Sequence, residues 1–186
     1  IPYYKEAKKA GIKPIIGCEV YVATGSRFDK KQLPGGGWGN NHLVLLAKNY
    51  QGYKNLMKLV TAGYLEGFYY RPRIDIDLLK EFNEGLICLS GCLKGELPEK
   101  MLKGDFEGAK KTAIMYSQIF NNRYYLEIQN HGIPEEAANI ANMKKLSSEL
   151  GLPLVCTNDA HYARQNHWEA HDIHICLGTG KERSDQ

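Results

Sequence analysis

Five short apolar runs lie along the chain: residues 13–23 (KPIIGCEVYVA), 42–49 (HLVLLAKN), 85–90 (GLICLS), 123–129 (RYYLEIQ) and 152–158 (LPLVCTN). The first is rich in β-branched and aromatic residues, as strands are, and each of the five is expected to be a strand. The intervening segments carry helical spacing. A helix is expected over 3–10 with Gly11 just past its end, and another over 53–65 (YKNLMKLVTAGYL). A short one is opened by Asp75 or Asp77, and longer ones cover 105–120 and 133–151, the last with a proline near its start and a glycine at its end. The tail at 167–178 (HWEAHDIHICLG) is again helical. Apolar strands separated by helices predict an α/β fold with a largely parallel sheet, open or closed into a barrel. No internal repeat, low-complexity segment or linker divides residues 1–186, so a single domain is expected.

In such folds chemistry gathers where strands end, and four places there carry reactive side chains. Glu19 follows KPIIGC, Cys92 follows GLICLSG, and Asp159 and His161 follow LPLVCTN. If the last strand ran on through them, Asp159 and His161 would project to the same side. His42 opens its strand and reaches the same rim only if 18–23 and 42–47 pair as an antiparallel hairpin. Carboxylate, thiolate and imidazole together suit zinc or manganese. Each residue also has a plain structural reading. Cys92 could be a small buried hydrophobe, His42 a polar strand edge, and Asp159 with His161 a hydrogen-bonded pair that does no chemistry.

Other features point less sharply. Cys18, Cys88, Cys156 and Cys176 lie in apolar runs and are expected in the core. The five cysteines are odd in number and contain no CxxC pair, which with no secretory signal suggests reduced thiols and a cytoplasmic location. No apolar stretch approaches the roughly 18 residues needed to span a bilayer, so no membrane partner is expected. A net charge of +3 is too small to establish nucleic-acid binding and does not oppose a phosphate-bearing partner. His167, His171 and His174 share one helix face, but HWEAH is not the HExxH of zinc proteases, and a mixed polar face is expected. GGGWG lacks the GK[ST] of a phosphate-binding loop and reads as a flexible connection. Arg71 and Arg73 in YYRPR sit beside aromatics, as in a nucleic-acid surface or an ordinary one.

The segments GIKPIIGCEVYVA, HLVLLAKNYQGYKNLMKLV, RPRID, GLICLSGCLKGEL, YYLEIQNHG and LPLVCTNDAHY, in that order, resemble the amino-terminal PHP (polymerase and histidinol phosphatase) domain of bacterial replicative DNA polymerase III alpha subunits. LAKNYQGYKNLMKLV and RPRID point to the polymerase branch, and AHDIHICLGTGK resembles the exit toward the polymerase palm. The resemblance implies a distorted (β/α)7 TIM-like barrel with up to three divalent metals at its rim, zinc or manganese with magnesium possible. Glu19, His42, Cys92, Asp159 and His161 match the family's later ligands, whereas His131 in QNHG matches no ligand position. The family's HxH motif, a following aspartate and its DHG histidine would precede Ile1, so this chain is expected to begin in mid-domain, without the first barrel strands. The activity implied is metal-dependent phosphodiester hydrolysis, a 3′–5′ exonuclease that proofreads, or else structural support of the polymerase. DNA and other holoenzyme subunits, a proofreading exonuclease subunit among them, are the implied partners. A stand-alone phosphatase acting on a small phosphate ester is the alternative.

Overall fold

All five apolar runs contain strands. The computed structural model describes residues 2–32 and 39–185. Helix α1 (Pro2–Lys9) leads to β1 (Gly17–Ala23), and β2 (Asn40–Ala47) is followed by α2 (Tyr50–Leu65). A two-residue strand, β3 (Arg73–Ile74), precedes α3 (Ile76–Phe82). Then come β4 (Leu86–Leu89), α4 (Glu96–Leu102), α5 (Phe106–Phe120), β5 (Tyr124–Ile128), α6 (Pro134–Leu150), β6 (Leu154–Cys156) and α7 (Trp168–Thr179). The helix limits follow from local chemistry. Asn49, Asp75 and Asp105 cap α2, α3 and α5 by accepting from the backbone N–H of Gly52, Leu78 and Gly108. Pro134 opens α6, and Gly151 closes it at φ +66°, a left-handed conformation natural to glycine.

The strands form one sheet in the order β3-β1-β2-β4-β5-β6. Strands β1, β3, β4, β5 and β6 are mutually parallel, and β2 runs against both of its neighbours. The sheet is therefore mixed, and the hairpin that His42 requires is present. Burial alternates along β2: Asn41, Leu43 and Leu45 are buried, whereas His42, Val44 and Leu46 are half-exposed. The buried face joins Val20, Val22, Ile74, Leu86, Cys88, Tyr124 and Leu126 under α2, α5 and α6 to form a single core. Each fully buried leucine there, such as Leu45, Leu59 or Leu126, contributes about 1.5–3 kcal/mol of transfer free energy. The opposite face of the sheet carries Glu19, Tyr21, His42 and Val44.

Several expectations need correction. Residues 13–16 are not strand, and α4 follows the Cys92 turn where no helix was expected. LPLVCTN is not a buried strand: β6 keeps only Leu154–Cys156, at the edge of the sheet, with Leu154 and Cys156 exposed. Of the four cysteines expected in the core only Cys88 is buried. Cys156 is exposed, and Cys18 and Cys176 are partly so, because an edge strand, the rim of β1 and a helix with no buried residue cannot enclose them. Of the GGGWG segment, residues 35–38 lie outside the described residues.

Candidate metal centre

The antiparallel register sets Glu19 opposite Val44 and Tyr21 opposite His42. Glu19 and His42 are thus diagonal neighbours on one face, within reach of each other's side chains. Nδ1 of His42 lies 2.8 Å from Oε1 of Glu19. Cys92 arrives from the turn after β4, and that turn is fastened to the backbone of His42. His42 N donates to Lys94 O at 2.9 Å, and Gly95 N donates to Cys92 O at 2.8 Å. Gly91, at φ +84°, lets the turn approach so closely that a Cβ there would fall 2.6 Å from the carbonyl oxygen of His42. Cys92 Sγ consequently sits 3.7 Å from the same Nδ1.

One carboxylate oxygen, one imidazole nitrogen and one thiol sulfur therefore lie within 4.8 Å of one another. A borderline cation such as zinc accepts this donor mixture, and the spacing is close enough to share one ion. The Cys92 sulfur and then the Glu19 carboxylate push His42 up to about 9. The hydrogen bond from His42 in turn holds Glu19 below the ordinary carboxylate range, and the charge of His161 adds to the effect.

Asp159 and His161 form a second cluster. They are not joined by strand alternation, because β6 stops at Cys156 and Asp159 has φ +44°. A local turn faces them instead: His161 Nδ1 is 2.6 Å from the backbone oxygen of Asp159 and 3.8 Å from its Oδ1. Both side chains are exposed, and neither belongs to the close group of Glu19, His42 and Cys92.

His167, His171 and His174 belong to none of the groups of close metal-ligating atoms among the described residues. The His171 ring instead stands 5.5 Å from that of His161 and 5.4 Å from that of Tyr162.

Residues without any expected role tie these parts together. Glu127 on β5, 3% exposed, accepts from Gly91 N at 3.0 Å through Oε2 and from the Thr157 hydroxyl through Oε1. Burial pushes its carboxyl up. His131 spans from α6 to the loop after β6. Its Nδ1 is 2.7 Å from Oε1 of the buried Glu136, and its Nε2 is 2.8 Å from the backbone oxygen of Asn158. The sequence held one signal for Glu127, a carboxylate within an otherwise apolar strand. No comparable signal marked His131.

Comparison with known proteins identifies the family. The PHP domain family profile matches residues 1–131. The chain is 51% identical over 186 residues to the DNA polymerase III subunit alpha of Borreliella burgdorferi, a match covering all of this chain and 16% of that protein. It is 47% identical to the same subunit of Treponema pallidum, over 98% of this chain and 16% of the relative. With the Thermus aquaticus subunit it shares 44% identity, over 95% of the chain and 14% of the relative. The chain thus spans about one-sixth of the length of the curated relatives it matches. With the profile matching most of its length, the chain belongs to the PHP domain family.

Proposed function

We propose that residues 1–186 are the PHP domain of a bacterial replicative DNA polymerase III alpha subunit, with the final residues leading toward the palm, and that the domain hydrolyses phosphodiesters with bound divalent metal. The observation that carries this reading is the convergence of Glu19, His42 and Cys92 at the strand-end rim. Glu19, His42 and Cys92 would hold one ion, with Asp159 and His161 as ligands from the facing loop. Bound zinc or manganese supplies a Lewis acid and a water of lowered pKa. The chain's own work is to hold the donors in place through the β1–β2 register and the Gly91 turn. Zinc suits the sulfur and nitrogen donors best, manganese and magnesium the carboxylates.

The fold reading extends in the same way. A distorted (β/α)7 barrel is supported by the second face of the sheet, where His42, Val44, Leu46, Ile87 and Tyr125 are half-buried although the main core lies on the other side. DNA, and holoenzyme subunits that include a proofreading exonuclease subunit, are the partners proposed from the relatives' name. No helix among the described residues is long and apolar enough to cross a membrane, and a cytoplasmic setting is proposed with the polymerase role.

The test is a 3′–5′ exonuclease assay on the full-length protein with Mn²⁺ or Zn²⁺, comparing wild type, Cys92→Ala and Asp159→Asn. Hydrolysis lost in both variants with polymerisation retained is the expected result. Metal bound by Cys92 without any hydrolysis would leave a metal-stabilised scaffold. Hydrolysis of small phosphate esters but not of DNA would favour a stand-alone phosphatase.

A further inference from the structure

Resting on the metal reading above, we propose that Glu127 is a positioning residue that sets the Cys92 turn against the Asp159 loop, so that the two clusters form one centre. Its buried carboxylate reaches both the Cys92 turn and the strand end that leads to the Asp159 loop. On one side Oε2 accepts from Gly91 N at 3.0 Å, one residue before Cys92. On the other side Oε1 accepts from Thr157 Oγ1, two residues before Asp159. The backbone of the same residue is held too: Glu127 N donates to Ser90 Oγ at 2.8 Å, and Ser90 N donates to Tyr125 O at 3.1 Å. Gln129 Nε2 braces the far side, 3.0 Å from Thr157 Oγ1 and 3.4 Å from Oε1 of Glu127.

The geometry points to transmission and not to ligation. Glu127 is 3% exposed, and its oxygens are occupied by neutral donors. The cavity beside it, lined by Gly91, Cys92, Gln129, Glu136 and Asn139, holds about 10 Å³, room for one water at most. A buried carboxylate with rigid backbone on both sides can hold two chain segments in register, because a shift of either one breaks a hydrogen bond that no solvent replaces. Partners that orient metal ligands are worth about 10–100-fold in metal affinity.

The experiment uses full-length protein carrying Glu127→Gln, Thr157→Val, Thr157→Ser and the double variant Glu127→Gln/Thr157→Val. Cobalt(II) serves as the probe, because a thiolate on cobalt gives a charge-transfer band that reports Cys92 directly. A positioning role predicts that Glu127→Gln and Thr157→Val each weaken cobalt binding about 10–100-fold and shift the band. Thr157→Ser keeps the hydroxyl and should restore both. The double variant should be little worse than the stronger single one, since both break the same link. If the variants melt earlier but keep wild-type affinity and band, or if their effects on affinity add, Glu127 is merely structural and the proposal is overturned. If Glu127→Gln does not fold, the Thr157 pair decides in the same way. If wild type shows no thiolate band and Cys92→Ala binds cobalt as wild type does, the metal reading itself fails, and this proposal falls with it.

Discussion

Metal binding at Glu19, His42 and Cys92 should depend steeply on pH because a proton occupies the site first. Whichever His42 nitrogen meets the ion, one proton must leave the imidazolium. With its pKa pushed up to about 9 by Cys92 and Glu19, about 1% of the ring is neutral at pH 7, which weakens binding about 100-fold, or about 2.7 kcal/mol. Affinity for Mn²⁺ or Co²⁺ should then rise about tenfold per unit between pH 7 and 9 and level off above. The apo protein should behave oppositely. A folded-state pKa above the unfolded value contributes stability that is complete below about pH 6.5 and is lost as pH climbs through 9, here about 1–2 kcal/mol after solvent screening. Chelator competition across pH 6–9.5 measures the first trend, and denaturant melts of metal-free protein measure the second. Cys92→Ala removes the larger influence on His42, so the plateau should move toward the ordinary histidine value while the affinity falls. Affinity in wild type that is flat from pH 7 upward would refute the reasoning, since it would mean that no proton competes with the ion at His42.

Gly91→Ala should destabilise the fold by about 2 kcal/mol or more, because the new Cβ would sit 2.6 Å from His42 O at a backbone φ of +84°; melting and metal content should drop together. Leu45→Ala should cost about 2–5 kcal/mol in denaturant melts, as Leu45 is fully buried on the core side of β2, the strand that also carries His42. His167→Ala and His174→Ala should leave metal stoichiometry by elemental analysis unchanged, since those side chains join no group of close ligand atoms. Zinc lost on either substitution but retained after Cys92→Ala would place the centre at α7 and the turn that leads into it.

What could be read from the residues followed from how local each determinant is. The strands and helices were legible because their limits lie in adjacent side chains, as with Asp75, Asp105, Pro134 and Gly151. The need for an antiparallel hairpin at His42 was legible too, because the apolar run HLVLLA begins at His42 whereas Glu19 follows KPIIGC, although β2 starts two residues earlier, at Asn40. Burial of LPLVCTN was misread because apolar composition does not reveal an edge position. Among the described residues strand β6 pairs with β5 on one side only, and its Leu154 and Cys156 are exposed. The link from Glu127 to Gly91 and Thr157 spans 36 and 30 residues, and α4 depends on a turn that closes on the backbone of His42. Such distant pairings leave no periodic trace. Family resemblance singled out Cys92, which spacing alone would have left as a small hydrophobe.

The β1–β2 hairpin has a consequence for the order in which the molecule assembles. Glu19 and His42 meet across a loop of about twenty residues, whereas Cys92 must close a span of 50 residues to reach His42. Loop-closure entropy grows with the logarithm of length, so each larger span adds only fractions of a kcal/mol, yet folding speed falls as contacts become less local. The hairpin can therefore pair before β4 docks, and β6 joins β5 only after the long α6 crossover. On this route the Glu19–His42 pair forms earlier than its contact with the Cys92 thiol. If the proposed centre binds metal, a nascent chain would meet free cations with two donors in place and its softest one still to come, so that selection for a thiol-seeking ion would be deferred to the step that brings β4 alongside β2.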